Sequence, residues 1–416
     1  MNLKGYGNSR GFTHSLFRFP GRFHPPLLAY LLTLHPDLKV SGDPMSGSGT
    51  AAVETVVSGR DGTFSDIDPL SCLLSRAKSN PVEPAFVINE VEEILREASP
   101  LYLRGTDESV AKREISTLED STAFSAPPNV FKWFQPYIAA NLAKVLKFTQ
   151  GHSLKGPERD AMLGVIAGTI RRVSRADPHT ASGLEVTYRR RLQLSRGYRF
   201  NIEKELRWKA RILASGYKAM MALPGLGKAS VFEHDARDWY SLCKGIGTFP
   251  SIVITSPCYI SAIEYWRRHK LEYCWLGLVK PGELQSVKPK FLGMGPEEPS
   301  LEGLPPYINY LHSSLKSRGR KKEAANLARY FEDSVGWISE VGKVIGRSNG
   351  VAYVVVGSNT TSGLVVDTPR ALKAIATSAG LEAMVFKKYR IQDSYMQYKT
   401  KTARIESETI LRLTSR

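Results

Sequence analysis

The stretch that most constrains the fold is Ser251 to Tyr259, SIVITSPCY. Ile252, Val253 and Ile254 form a β-branched run of the kind that fills a buried parallel strand. Pro257 has no N–H to give a ladder, so the chain must leave the sheet there. In open α/β sheets ligands sit beyond the carboxyl ends of strands. Here that place holds the hydroxyl of Ser256, the carbonyl of Pro257, the thiol of Cys258 and the ring of Tyr259.

Two more strand-and-turn units precede it. Leu38–Ser41 is a short strand candidate, followed by Asp43-Pro44-Met45-Ser46-Gly47-Ser48-Gly49-Thr50 and the helical spacing of Ala51, Ala52, Val53, Val56 and Val57. Strand, small-residue turn and helix start together offer a ligand close backbone approach and free N–H groups. The turn lacks the lysine of a phosphate-binding loop and is not GxGxxG. Gly62–Asp66 predicts a second strand tipped by an acid, which suits ribose hydroxyls. Its helix runs from about Leu70 to Lys78. A third strand begins at Ala229 and ends near Asp235.

Between residues 83 and 228 the pattern changes. Amphipathic helices are expected over Val87–Ala98, Val130–Phe148, Arg159–Arg175 and Ile202–Ala222, with few strand signals. Arg171, Arg172, Arg189, Arg190 and Arg191 gather here with aromatic neighbours, a combination that suits phosphate neutralisation and base stacking. After the Ser251–Tyr259 stretch, Ile263–Leu278 reads as one helix carrying Arg267 and Arg268. Residues 280–306 read as a long loop over the site. Ala324–Ile345 and Pro369–Ala379 read as helices, and Val351–Val356, Leu381–Lys388 and Ile405–Leu413 as strands. Residues 1–22 read as a loop or loosely docked arm.

The chain of 416 residues carries a formal charge of +17, which favours a polyanionic partner, nucleic acid before membrane. Four scattered cysteines form no CxxC pair and no zinc pattern, which points to a reducing compartment. No signal peptide is evident, and the apolar stretch Leu27–Leu34 is too short to span a bilayer. A cytoplasmic protein is expected, nucleoid-associated if bacterial, with no metal and no membrane partner.

In this setting the sequence resembles the S-adenosylmethionine-dependent DNA amino-methyltransferases. DPMSGSGT resembles that family's DPFxGSGT cofactor loop, and TSPCY resembles its catalytic TSPPY. FSDIDP, HDAR, FRFPGRFHPPLLAYLL and VVVGSN also fall in the family's order. The resemblance implies an α/β Rossmann-like methyltransferase fold, a mostly parallel seven-stranded sheet with a helical insertion domain. Residues 1–82 and 229–416 would form the two halves of the catalytic domain, and 83–228 a DNA-recognition or clamp domain.

By resemblance the S-adenosylmethionine site comprises Phe23, Asp43, Pro44, Gly47, Ser48, Gly49, Thr50, Asp66 and Asp235. Ser256 and Pro257 would accept from an exocyclic amino group, and Tyr259 would stack on a base flipped out of double-stranded DNA. Serine at the first motif position leans the reading to the 4-amino group of cytosine. The alternatives are the 6-amino group of adenine, an RNA amino group, carbon-5 of cytosine attacked by Cys258, and an inactive DNA-binding homologue. A cognate restriction enzyme is a further expected partner. Cys258 departs from the family pattern, which has a second proline there.

Overall fold

The computed structural model describes residues 11–99, 107–180, 183–260, 263–295, 298–390 and 407–416. Seven strands form its main sheet: β1 (Val40–Asp43), β2 (Asp61–Asp66), β3 (Ala229–Glu233), β4 (Ile252–Thr255), β5 (Val351–Gly357), β8 (Leu381–Arg390) and β9 (Ser407–Ser415). A separate hairpin pairs β6 (Asn359–Thr361) with β7 (Leu364–Val366). The order across the main sheet is β3-β2-β1-β4-β5-β9-β8. All neighbours from β3 to β5 are parallel, and β9 runs antiparallel to both of its neighbours. This is the Rossmann-like methyltransferase fold expected above. The strand order reverses direction between β1 and β4, which makes that gap the switch point where ligands bind.

Burial follows the strand period of two. Ile252 and Ile254 of β4 join one core, together with Val351, Tyr353 and Val355 of β5. Val253, Ala352, Val354 and Val356 point to the other. Both faces are therefore dry, which explains why these strands read as unbroken apolar runs. The helix Lys321–Ser348 covers the second face through Trp337, Ile338 and Val341.

The helical block packs on the first face. Leu163, Ile166 and Ile170 of helix Gly156–Ile170, and Leu206 and Leu213 of helix Ile202–Met221, share one cluster with Leu70 and Leu74 of helix Pro69–Ser79. Each such leucine or isoleucine contributes roughly 1.5–3 kcal/mol by leaving water. The block between β2 and β3 thus shares its core with the sheet instead of having one to itself.

Several boundaries differ from expectation. Val130–Phe148 is two helices, Val130–Trp133 and Pro136–Gly151, because Gln135 before the proline is extended at φ −69°, ψ 145°. The helix Glu108–Ser121 was not anticipated, although Asp107 caps it through the N–H groups of Ser109 and Val110 at 2.9 and 3.0 Å. Ile263–Leu278 is two short helices, Tyr265–Arg268 and Lys270–Trp275. These two helices and the residue between them turn polar groups inward, with Arg268, His269 and Glu272 all fully buried. Residues 280–306 hold a turn of helix at Leu284–Val287, and Pro306 starts the helix Pro306–Ser317. Of the N-terminal arm, residues 1–10 lie outside the described residues, as do Ser261, Ala262 and Ile405.

Candidate active site

The ends of β1, β2, β3 and β4 surround a cleft of about 1060 Å³, its open mouth included. Its walls contain Phe23, Asp43, Pro44, Gly47, Ser48, Thr50, Asp66, Asp235 and all four residues Ser256 to Tyr259. Of the expected cofactor residues, Gly49 alone stands behind the wall.

Asp43 ends β1 and is 2% exposed. Its carboxylate accepts from the Met45 N–H at 3.0 Å. Burial raises its pKa to about 7, partly opposed by that N–H. The following turn is pinned to β2 by Ser46 N–H donating to the Ser65 carbonyl at 2.9 Å. Gly49 caps the helix Thr50–Val57 at φ +74°. A Cβ there would lie 2.6 Å from Ser75 Cα, so the position demands glycine twice over. Gly49→Ala is expected to destabilise the protein by about 2–4 kcal/mol, from left-handed strain plus overpacking. Denaturant melts with unchanged m-value check this; an unmoved midpoint contradicts it.

Asp66 ends β2 with both oxygens engaged. One accepts from Gly47 N–H at 2.7 Å and the other from Asp68 N–H at 2.9 Å. Burial first, and the charge of Asp68 second, raise its pKa to about 7. Asp68 is the opposite case. Burial would raise it, but His269 brings it below the usual carboxylate range. Its oxygens accept from His269 Nδ1 at 2.7 Å, Tyr273 Oη at 3.0 Å, Ser71 Oγ at 3.1 Å and Leu70 N–H at 2.9 Å. Asp68 therefore caps the helix Pro69–Ser79 and fixes the loop that carries Asp66.

Asp235, after β3, is gripped by Arg237. The backbone N–H donates at 2.8 Å, Nε at 2.9 Å and Nη2 at 2.6 Å. Arg237 also reaches Asp333 at 2.7 Å, and Asp333 accepts from Gly293 N–H at 2.8 Å. That network ties the loop around Phe291 and Leu292 to the end of β3, where both residues join the cleft wall. A ligand meets Asp235 already committed to an ion pair, leaving only its remaining lone pairs.

At the end of β4, Pro257 is buried, while Ser256, Cys258 and Tyr259 are half-buried. The Tyr259 hydroxyl donates to Glu408 Oε1 at 2.6 Å. Burial pushes the Cys258 thiol up to about 12, and Asp66 and Asp333 add to the shift. The thiolate that nucleophilic attack needs is therefore disfavoured.

Sequence reasoning missed several wall residues. Phe19 and Tyr265 stack at 5.0 Å between ring centroids, and both line the cleft with Arg22, Asp68, Ser71, Lys290, Phe291 and Leu292. Phe19 stands within the FRFPGRF motif, so its aromatic character was a usable signal. Nothing local marks Glu408, which bonds Tyr259 from outside the wall.

The donor set fits a cofactor with amino and ribose donors and an apolar middle. A buried acceptor stands at Asp43 and a half-buried one at Asp66, a positive-φ glycine turn lies between them, and Phe19, Phe23, Ile67 and Phe291 supply apolar wall. Among the described residues no group of three or more metal-ligating side chains comes together, and no helix is long and apolar enough to cross a membrane.

The arginine expectations need correction. Arg171 is buried and spends its guanidinium on the carbonyls of Arg268, Asp177 and Gly183. Arg190 is buried against the Arg172 and Ser174 carbonyls at 3.2 and 2.7 Å. Arg268 is fully buried and donates to the Thr180 carbonyl. These three hold loops together and cannot reach a phosphate. Arg172 is half-buried, paired with Glu205 and stacked 4.3 Å over the Trp208 ring. Arg189, Arg191 and Arg267 remain exposed.

No protein-family model matches the chain. A type II methyltransferase, M.MvaI of Kocuria varians, is 28% identical over 174 residues, or 40% of this chain. The match spans 36% of that relative's length. Two structures of the rRNA methyltransferase aviRa from Streptomyces viridochromogenes align over 99% of this chain and 93% of theirs, at 11% identity. Their TM-scores are 0.32 and 0.34. The chain thus has a Rossmann-like methyltransferase fold and, over 174 residues, is similar to a type II methyltransferase.

Proposed function

We propose that this protein transfers a methyl group from S-adenosylmethionine to the 4-amino group of cytosine in double-stranded DNA. The observation that carries the reading is the Ser256–Tyr259 turn, which opens into a cleft whose other walls are the acidic ends of β1, β2 and β3. Asp43, Asp66 and Asp235, with the turn Pro44–Thr50 and Phe23, would hold the cofactor, whose methyl sulfonium supplies the electrophile. An exocyclic amino group is a poor nucleophile because its lone pair is delocalised into the ring. Ser256 Oγ and the Pro257 carbonyl would accept its two hydrogens and localise that pair. Tyr259 would stack on the flipped base. Positioning supplies most of the acceleration.

The 6-amino group of adenine is the second reading, since the same two acceptors serve either base. Carbon-5 attack by Cys258 is disfavoured by its raised thiol pKa. Nucleoside mass spectrometry of DNA and RNA incubated with labelled cofactor tests the choice. N4-methylcytosine in DNA is the expected product. N6-methyladenine would transfer the reading to adenine, and 5-methylcytosine or label in RNA alone would overturn it. A cytoplasmic site of action and a restriction enzyme of matching specificity belong to the same proposal.

Cofactor affinity should depend on pH. With pKa values raised to about 7, Asp43 and Asp66 are mostly protonated in the ligand-free protein below that pH. A ligand that donates to them must displace those protons, so binding weakens as pH falls. Titration calorimetry should show the dissociation constant for S-adenosylmethionine rising about tenfold or more from pH 8 to pH 6. Asp43→Asn should flatten that slope. A pH-independent affinity contradicts the assignment.

The exposed arginines are the proposed DNA contacts, with the block 83–228 as clamp. Arg189→Ala with Arg191→Ala should reduce the slope of log K against log salt by about 2 and leave the melting temperature unchanged. Arg190→Ala should instead destabilise the fold by about 2 kcal/mol, because two buried carbonyls lose their donor. The reverse pattern would return Arg190 to the DNA surface.

A further inference from the structure

We propose that a second chamber beside the cofactor cleft receives the target base, and that Tyr330 and Trp266 hold it there by donating to its ring-edge acceptors. The inference rests on the reading above and names two residues that no motif resemblance supplies. The chamber has a volume of about 460 Å³, its mouth included, less than half that of the cleft. Cys258, Tyr259, Tyr265 and Phe291 line both spaces, so the turn after β4 borders each of them. Trp266 and Tyr330 line only the chamber. Five of these six residues are aromatic, and every base has a face that stacks on such rings.

The polar atoms of the aromatic wall divide in two. The Tyr259 hydroxyl is spent on Glu408 at 2.6 Å and the Tyr265 hydroxyl on the Pro20 carbonyl at 2.8 Å. The Tyr330 hydroxyl and Trp266 Nε1 are buried and, among the described residues, meet no hydrogen-bond partner. Three other tryptophans share that lack and line neither space, but no other tyrosine hydroxyl among the described residues does. A buried donor left unpaired costs folding free energy, and native interiors rarely keep one. Two of them on the wall of one chamber, next to the Ser256–Tyr259 turn, are explained by a ligand that brings acceptors.

The helix Lys321–Ser348 puts Tyr330 there. Tyr330 lies one turn before Asp333 on the same helix face. Asp333 is held by Arg237 at 2.7 Å and by Gly293 N–H at 2.8 Å. Gly293 also lines the chamber, and a Cβ on it would come within 3.3 Å of Tyr330 Cβ. The network that fixes the cofactor wall at Asp235 therefore fixes Tyr330 as well. Burial holds the Tyr330 phenol protonated, so it serves as a donor at any working pH.

Chemistry decides which base such donors suit. Beside its 4-amino group cytosine carries two acceptors, N3 and O2. Beside its 6-amino group adenine carries N1 and then a C–H. With the amino group at Ser256 and Pro257 and the ring in the chamber, two donors match cytosine, and adenine would leave one of them buried and unpaired. Lys270 and Lys288 stand over the Trp266 ring at 4.4 and 5.7 Å, so positive charge lies beside the chamber for the phosphates flanking a flipped nucleotide.

The test uses the full chain, S-adenosylmethionine and genomic DNA, with Tyr330→Phe and Trp266→Phe. Each substitution keeps an aromatic ring and removes one donor. Each should lower the single-turnover rate of N4-methylcytosine formation at least about tenfold, with calorimetric affinity for S-adenosylmethionine within about twofold of wild type. Tyr330→Phe should melt at or above the wild-type temperature, because it deletes a buried hydroxyl that has no partner in the free protein. A second substrate is a duplex built on the site mapped from wild-type methylation, with sulfur, a poor acceptor, replacing O2 of the target cytosine. It should slow the wild type about tenfold, and slow by no more than about twofold the one variant whose missing donor meets O2.

Either variant at a rate within about threefold of wild type overturns the proposal. So does a rate loss in Tyr330→Phe accompanied by a lower melting temperature, which would mark a packing role, or a sulfur-substituted duplex that slows both variants as much as the wild type. A wild type that binds cofactor and forms no N4-methylcytosine removes the underlying reading and the chamber's role with it. An active wild type with fast variants removes the chamber's role alone.

Discussion

Ser256→Ala is expected to slow single-turnover methyl transfer by about 100-fold while S-adenosylmethionine binds within about twofold of wild type. In the proposed reaction the removed oxygen would accept only from the amino group in the reacting complex, so its loss should fall on the rate and not on ground-state cofactor binding. The Pro257 carbonyl remains and supports residual turnover. Cys258→Ala is the companion variant. Its thiol is held neutral by burial, so the rate should change by no more than about threefold. A dead Cys258→Ala with a trapped covalent DNA adduct would reverse the roles of the two residues. Quenched-flow transfer of labelled methyl, with calorimetric binding alongside, separates these outcomes.

Asp66→Ala should have an effect of similar size on binding. In the proposed site Asp66 would accept from the ribose hydroxyls, and it already holds Gly47 N–H at 2.7 Å and Asp68 N–H at 2.9 Å. Alanine removes the acceptor and unties the glycine turn from β2. The expected loss in S-adenosylmethionine affinity is at least about 100-fold, or roughly 3 kcal/mol. Asp66→Asn keeps an oxygen for one N–H and places its amide against the other, so it should fall between wild type and alanine. Affinity within threefold of wild type for Asp66→Ala would show that the cofactor sits elsewhere in the cleft.

The parts of the fold legible in the sequence were those with strong local physics. The β-branched run ending at Pro257, the glycine turn after Asp43 and the acid at Asp66 each announced a strand end, and the sheet places them around one cleft. What was illegible depends on contacts distant in sequence. Arg171, Arg190 and Arg268 look like any basic cluster until folding brings carbonyls to them. A charged residue's fate is decided by its partners, not its type. Glu408 is 149 positions from Tyr259 and joins it only because β9 inserts antiparallel beside β5. The split of Ile263–Leu278 had a similar cause. Tertiary burial of His269 against Asp68 outweighed helical spacing.

The proposed reaction requires the cleft to hold S-adenosylmethionine with its methyl group facing the Ser256–Tyr259 turn. A crystal structure of the protein soaked with S-adenosylmethionine tests it most directly. Ribose hydroxyls are expected within hydrogen-bond distance of Asp66, the adenine beside Asp235 and the sulfonium methyl directed at Ser256 Oγ and the Pro257 carbonyl. Cofactor bound outside the cleft, or bound with its methyl turned away from that turn, would contradict it.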